Sequence, residues 1–265
     1  MIDLKNAKKE FEKYIINYDL NNPDIARKVG HSYRVAKISK KIARSLNLSE
    51  EEIEIATLIG LLHDIGKFEQ QTIYKTYDDI SSIDHGKLGV EILEKKNYIR
   101  NYIKDDKYDN IIKASVYNHN KYEIEEGLDE KTLIFCKIIR DSDKLDIFYE
   151  AIEIFWEKKV RITDNITKKI LKDFKDRKQI LNQDKVTQLD GAISIISFIF
   201  DIYYKKSFKL IKENDYINKI INKFEIEDDN VKEQFEEVRS IANNYVEDRI
   251  KNMKWRYDSI WAKVY

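Results

Sequence analysis

The scarcity of chain-breaking residues is the feature that most constrains the fold. One proline and seven glycines interrupt 265 residues. Between them, apolar residues recur at the three- and four-residue spacing of a helix face, and no segment shows a competing strand pattern. The sequence therefore predicts an all-α fold.

Local signals mark where several helices begin. Pro23 and Asp24 open a helix that we expect to stop near Asn47. Ser49 and Glu52 form a capping box for the next helix, which is predicted to reach Gly66. Further helices are predicted over 84–96, 107–119, 129–158, 189–205 and 228–254.

Composition argues against several classes of partner. The 48 basic and 48 acidic side chains cancel, so bulk nucleic acid is disfavoured as a ligand. The longest apolar stretch, AISIISFIF at 192–200, is shorter than the 18 residues that a membrane span needs, and the N-terminus has no apolar signal region. We expect a soluble, cytoplasmic protein that does not associate with membranes.

The single cysteine gives little evidence of chemistry. Cys136 lies within the apolar run LIFCKII and has no second cysteine for an internal disulfide. This usage fits a reducing compartment. We interpret Cys136 as a small buried core residue.

The chain has only four histidines, and three of them follow helical apolar rows. His31 shares a face with Val35 and Ile38, His63 continues the row of Ile55 and Ile59, and His119 follows Ile112 and Val116. One inward histidine is most often a hydrogen-bonded core residue. Asp64, beside His63, would be a costly buried charge without a cation. A metal ion would satisfy the imidazoles and neutralise that carboxylate.

An ordered set of motifs resembles the HD-domain superfamily of metal-dependent phosphohydrolases. GLLHDIGKF resembles the central motif of the family, DHGKLGVEIL the segment with its third histidine, and IIKASVYNHNKY the segment with its fourth. An aspartate in RDSDKLD completes the pattern. The resemblance covers about residues 20–150.

The resemblance implies an all-helical HD-domain bundle, which we place at 1–160, followed by a helical extension of unknown role at 161–265. In the family, the first histidine, the HD pair and the final aspartate hold one metal, and two further histidines hold a second metal that shares the HD aspartate. The implied ligands are His31, His63, Asp64, His85, His119 and Asp143. Histidine and carboxylate ligands suit two divalent transition ions, with iron, manganese, zinc and nickel left open.

The final ligand has two candidates. Apolar residues surround the preceding helix on nearly all sides, so periodicity does not choose between Asp141 and Asp143. The usual sequence motif of the family at this position, a ligand followed by a basic residue and leucine, selects Asp143. We interpret Asp146 as a solvated carboxylate at a helix end.

The implied activity is hydrolysis of a phosphomonoester or phosphodiester of a nucleotide, with Asp64 and Lys67 as catalytic residues. Lys67 could contact a phosphate oxygen, or be a solvated lysine. Arg34 and Arg140 are weaker phosphate-binding candidates, for which a solvated position is favoured. Two alternatives are a di-iron oxygenase of the same superfamily and a non-catalytic nucleotide-binding module.

Two other regions carry weaker expectations. The segment 68–87 is predicted to be a loop over the site, where Phe68, Tyr74 or Tyr77 could stack on a base, although simple packing is favoured for each. AISIISFIFDIYY is interpreted as a buried helix or, less simply, a contact in a homo-oligomer. The closing MKWRYDSIWAKVY could pack onto the core.

Overall fold

The computed structural model describes residues 2–253, and helices dominate that range. By their internal contacts the residues form two compact units, one up to Asp143 and one from Lys144 onward. The all-α prediction is confirmed. The predicted domain boundary at residue 160 stays a prediction.

The first unit is built from helices that begin with α1 and end within α7. Their bounds are α1 Leu4–Ile15, α2 Pro23–Ser45, α3 Glu50–Leu62, α4 Ile65–Tyr74, α5 His85–Glu94, α6 Asp109–Asn118 and α7 Glu130–Glu150. A 3₁₀ segment, Lys95–Asn101, follows α5. The predicted capping box is present, since Ser49 accepts from the Glu52 backbone N–H while the Glu52 side chain accepts from that of Ser49.

The core of the first unit forms where α2 and α3 approach closely. At Gly60 of α3, an added Cβ would lie 2.8 Å from the Cα of Ala36, so a larger residue would push the helices apart. Val35 and Ile42 of α2 and Ile55 of α3 are fully buried beside this contact. Helices that meet this closely hold their inward side chains in fixed relative positions.

The segment 68–87 is only partly a loop. Helix α4 continues through Tyr74, so the loop prediction is wrong for its first seven residues. The residue that follows the helix, Lys75, has the left-handed φ of 56°. The irregular segment 75–84, which follows α4 and precedes α5, is here called the α4–α5 loop.

Phe68 lies in an aromatic cluster rather than over a ligand. Its ring packs edge-on against Phe11 and Tyr14 of α1, with centroids 5.9 and 6.0 Å away. The Tyr18 ring lies at 5.6 Å. Phe68 is fully buried, so the packing alternative considered for it describes its environment, and this cluster attaches α1 to α4.

Cys136 is buried, as the sequence predicts. Its thiol lies 3.8 Å from the Ser115 hydroxyl, and burial raises the pKa of the thiol to about 11. The thiolate form is therefore scarce at neutral pH, as expected for an unreactive core cysteine.

The second unit contains helices and one small sheet. Its elements are α8 Lys168–Lys175, α9 Gln188–Ile196, α10 Lys205–Glu213, α11 Tyr216–Ile221, α12 Asp229–Asn252, β1 Val160–Ile162 and β2 Phe224–Ile226. The strands pair in parallel, with Val160 opposite Phe224 and Ile162 opposite Ile226. The expectation of no strands is wrong here because three-residue strands are too short to show alternation.

Two long predicted helices are interrupted in the second unit. The helix predicted over 189–205 is shorter than expected. It is α9, which ends at Ile196, and a 3₁₀ turn, Ser197–Asp201, follows it. The Ser197 hydroxyl donates to the Ser194 carbonyl and accepts from the Ile180 N–H, which ties the turn to a neighbouring segment. The helix predicted over 129–158 similarly ends in a π-helical turn, Ala151–Phe155.

Within AISIISFIFDIYY, several of the apolar side chains are buried, in agreement with the buried-segment interpretation: Ile193, Ile196 and Ile199. Of MKWRYDSIWAKVY, all but Met253 lies outside the described residues. Among residues 2–253, none of the helices combines the length and apolar character that crossing a bilayer requires.

Replacing Phe68 with alanine should lower the free energy of unfolding by about 3–5 kcal/mol, because a large cavity opens in the aromatic cluster. Tyr74→Ala is the matched control, since Tyr74 lies on the same helix but is 45% exposed. Urea unfolding followed by circular dichroism measures both variants. Equal losses would show that Phe68 does not hold α1 and α4 together.

Candidate metal centre

His63 and Asp64 form a two-residue corner between helices. Helix α3 ends at Leu62 and α4 begins at Ile65, with both corner side chains buried. The predicted helix end at Gly66 is wrong, since Gly66 lies inside α4. A Cβ at Gly66 would lie 2.3 Å from the carbonyl oxygen of His85, so glycine allows the corner to pack directly against the start of α5.

The four histidines come from separate elements and converge. His31 lies in the middle of α2, His85 is the first residue of α5, and His119 directly follows α6. The Nε2 atoms of His31 and His63 are 3.1 Å apart, and those of His85 and His119 are 2.9 Å apart. The rings of His63 and His119 join the two pairs, with centroids 5.0 Å apart.

Asp64 lies between the two histidine pairs and contacts both. Its Oδ2 is 3.4 Å from His31 Nε2 and 3.6 Å from His63 Nε2. Its Oδ1 is 3.3 Å from His85 Nε2 and 3.4 Å from His119 Nε2. The carboxylate is therefore shared by two groups that could each hold an ion: group one, His31, His63 and Asp64, and group two, Asp64, His85 and His119.

Asp143 lies beside group one. Its Oδ1 is 3.1 Å from His31 Nε2 and 3.7 Å from His63 Nε2, which places it where the sequence motif predicted a ligand. Asp141 is fully buried in the same helix. Asp146 is only 1% exposed, so its interpretation as a solvated carboxylate is wrong.

Hydrogen bonds fix which nitrogen faces the centre in the rings of His63, His119 and His85. His63 Nδ1 lies 2.9 Å from the Gly60 carbonyl oxygen, and His119 Nδ1 lies 2.6 Å from that of Val116. A carbonyl oxygen only accepts, so Nδ1 carries the proton in both rings and each Nε2 presents a lone pair. His85 Nδ1 lies 2.7 Å from Asp79, which assigns the same tautomer to His85.

Lone pairs on His85 and His119 therefore meet at 2.9 Å, an arrangement that repels unless a cation lies against both. Two nitrogen ligands that each lie about 2.1 Å from one ion are roughly 3 Å apart. The spacing of both histidine pairs fits that geometry. Convergent imidazole lone pairs around a shared carboxylate thus fit metal ions.

The electrostatics keep His119, Asp64 and Asp143 in their ligating forms. Burial lowers the pKa of His119 to about 4, so this imidazole is neutral at pH 7. Burial acts to raise the pKa of Asp64, but the Lys28 ammonium and the surrounding imidazoles hold it well below its usual range. Burial likewise acts to raise the pKa of Asp143, but the adjacent His31 and His63 imidazoles hold it well below its usual range. Neutral imidazoles and ionised carboxylates, without thiolates, suit divalent transition ions.

Sequence reasoning missed two residues at the centre. The Lys28 ammonium lies 2.7 Å from Asp64 Oδ2, and Lys28 precedes His31 by three residues on the same face of α2. Helical spacing could have identified Lys28. Asp79, the partner of His85, lies in the α4–α5 loop, where no periodic signal exists.

Lys67 is not a solvated lysine. Its side chain is buried, and Nζ donates to the Tyr77 carbonyl at 2.7 Å and to Asp79 Oδ1 at 3.3 Å. Burial lowers the pKa of Lys67. The ammonium also lies 5.4 Å from the centroid of the Tyr77 ring, and Lys28 lies 5.8 Å from the same ring. Both lysines therefore contact the same residue of the α4–α5 loop.

Arg140 stabilises the segment that carries His119. It is fully buried, so the expectation of a solvated side chain is wrong, whereas Arg34 is half-buried on α2. The Arg140 guanidinium donates to the carbonyl oxygens of Asn118, Lys121 and Tyr122, all at the end of α6 or just beyond. Such a fork satisfies carbonyls that the end of a helix leaves without partners.

Replacing Arg140 with lysine should lower the free energy of unfolding, because one ammonium cannot reach all three carbonyls and each buried acceptor left unsatisfied costs about 1–3 kcal/mol. Lys131→Gln is the control, since it removes an exposed cation of α7 that pairs with Glu52 and should cost less than about 1 kcal/mol. Denaturant unfolding compares the two. Equal stability of the variants would contradict the role assigned to Arg140.

Comparison with known families agrees with this geometry. The family model of the HD domain matches residues 29–147, a range that contains all six predicted ligands. No match was found among curated proteins or among solved structures. Residues 29–147 therefore match the HD domain, and the histidine and aspartate groups within them could form a metal site, which is consistent with a member of that family.

Proposed function

We propose that this HD domain is a metal-dependent phosphohydrolase that cleaves a phosphomonoester or phosphodiester of a nucleotide with the help of two divalent ions. The observation that carries the proposal is the position of Asp64, whose two oxygens each contact a different pair of histidines. A carboxylate shared in this way suits a binuclear site, whereas a single ion would use one side of it. The HD-domain match supports the hydrolase class.

The chain offers a complete ligand set for two ions. In this proposal, His31, His63 and Asp143 would hold the first ion, His85 and His119 would hold the second, and Asp64 would contribute to both. Such ions supply Lewis acidity toward a phosphoryl oxygen and lower the pKa of water, so that a hydroxide nucleophile is available at neutral pH.

Two lysines give the site positive charge beyond that of the ions. Lys28 contacts Asp64, and Lys67 contacts the α4–α5 loop through Tyr77 and Asp79. In the proposed reaction these ammonium groups bind the non-bridging phosphoryl oxygens and stabilise the charge that develops on them. Lys67 thereby keeps the catalytic role predicted from the sequence, and Lys28 joins it.

The cations also favour a phosphohydrolase over the oxygenase alternative. A phosphoester carries negative charge that Lys28 and Lys67 could bind in addition to Asp64 and Asp79, whereas a neutral substrate of an oxygenase carries no such charge. The nucleotide part of the substrate rests on the resemblance of the motifs to the family. Any non-catalytic binding module would need the same ligands but would lack turnover.

One experiment tests metal, reaction and substrate together. Purified protein is analysed for its elements, then incubated with mononucleotides, cyclic nucleotides and cyclic dinucleotides, and the products are separated by chromatography. We expect two divalent ions per chain and release of phosphate or opening of a phosphodiester. Asp64→Ala should lose metal and turnover while its helical circular dichroism stays, because the bridging ligand is gone.

Retained turnover in Asp64→Ala would count against the mechanism. One ion per chain, together with full activity of His85→Ala and His119→Ala, would rule out the two-metal form. Iron whose visible spectrum changes in air, without hydrolysis of any ester in the panel, would favour the oxygenase.

Replacing Lys28 with methionine should lower kcat/KM for the phosphoester by about 10- to 100-fold, because a charge-assisted hydrogen bond to the phosphoryl group, worth about 1.5–3 kcal/mol, is lost. Lys28→Arg should keep part of the activity. Lys37→Met is the matched control, since Lys37 is exposed on the same helix. Steady-state kinetics and metal content are measured for each variant. A loss of activity that is fully explained by a loss of metal would contradict the role of Lys28 in binding the phosphoryl group.

A further inference from the structure

His85 differs from His63 and His119 in the group that accepts a hydrogen bond from its Nδ1 atom. His63 and His119 each follow a helix, so the carbonyl three residues earlier accepts from Nδ1. His85 is the first residue of α5 and has no preceding helical turn to supply such a carbonyl. Its Nδ1 instead faces the Asp79 carboxylate, with both oxygens at 2.7 Å.

Several donors hold Asp79 in place. Gln70 Nε2 donates to Oδ1 at 2.8 Å, and Asn120 Nδ2 donates to Oδ2 at 2.9 Å. Lys67 adds an ammonium at 3.3 Å from Oδ1. These donors come from α4 and from the residue after His119, so the carboxylate is fixed by the same elements that build the centre.

A fixed carboxylate that accepts from a histidine affects it in two ways, both more strongly than a backbone carbonyl does. It locks the Nδ1–H tautomer and ring orientation, and its negative charge makes Nε2 a stronger donor to a metal. Asp79 therefore acts on group two, which contains His85, while group one contains none of its partners.

We propose that Asp79 is a positioning residue that orients His85 and sets the affinity of the second metal ion. The inference rests on the proposed binuclear site. Because Lys67 donates to the same carboxylate, Asp79 also connects a proposed phosphate-binding lysine to the second ion through the α4–α5 loop.

The test uses Asp79→Ala, Asp79→Asn and a matched control, Asp78→Asn. Asp78 is the adjacent carboxylate of the same loop, and it accepts hydrogen bonds from the backbone N–H groups of Ile80 and Ser81. Metal-free full-length protein is titrated with Mn²⁺ in a calorimeter. We expect Asp79→Ala to weaken the second binding event by about 10- to 100-fold and to change the first by less than about threefold.

Asp79→Asn should restore part of the affinity, because its amide oxygen still accepts from Nδ1–H without the charge. A second readout needs no metal: long-range proton–nitrogen NMR of the imidazoles should report the Nδ1–H tautomer for His85 in the unaltered protein and a mixture in Asp79→Ala. A merely structural role for Asp79 would not produce that selective change.

The failures are distinguishable. If the unaltered protein binds one ion, the binuclear proposal fails, and the NMR measurement still decides whether Asp79 sets the tautomer of His85. If two ions bind and Asp79→Ala matches the unaltered protein in both constants and in tautomer, the role of Asp79 is overturned. Equal weakening in Asp78→Asn would also overturn it, since loop integrity alone would then explain the effect.

Discussion

The charge of Asp64 is the constraint on which the HD domain depends. A carboxylate that is 2% exposed is unfavourable without compensation, and here the compensation comes from the Lys28 ammonium on one oxygen and imidazoles on both. None of these partners neighbours Asp64 in sequence except His63. The burial of one negative charge therefore requires α2, α5 and the end of α6 to meet at the corner between α3 and α4.

Close packing makes that meeting specific. Gly60 lets α3 approach α2, and Gly66 lets α4 approach α5, so both sides of the corner lie within van der Waals contact of a neighbouring backbone. A side chain at either position would displace a helix by more than the tolerance of a metal ligand, which is a few tenths of an ångström. At both positions the absence of a Cβ lets two helices pack closely against each other.

Much of the centre could be predicted from the sequence, partly from apolar rows within single helices and partly from the resemblance of its motifs to a known family. His31 and His63 continue apolar rows of their helices, and the phrase around Asp143 selected it over Asp141. In the structure these side chains do converge. Prediction failed where position depends on distant segments: the periodicity of α7 does not show that Arg140 is buried against the carbonyls after α6.

The same distinction explains the errors in the fold. A helix of four turns repeats its signal several times, whereas β1 and β2 have three residues each and exist only through their pairing. Ser197, in the middle of an apolar stretch, ends α9 because its hydroxyl bonds to Ser194 and Ile180, a contact with a segment 17 positions away. Local sequence patterns predict individual helices, whereas only the folded chain shows which polar groups form hydrogen bonds with distant segments.

The two groups that could hold metal ions differ in how the chain supports them. His31 of group one and the adjacent Asp143 lie inside the long helices α2 and α7, which move little without unfolding. His85 of group two lies at a helix start and depends on Asp79, a loop residue that also accepts from Lys67. Loops open at a lower free energy than helix interiors. In the proposed phosphohydrolase, a phosphate that draws Lys67 toward itself would therefore act on the second ion more than on the first, and substrate binding would have a physical route to the metal centre through Asp79.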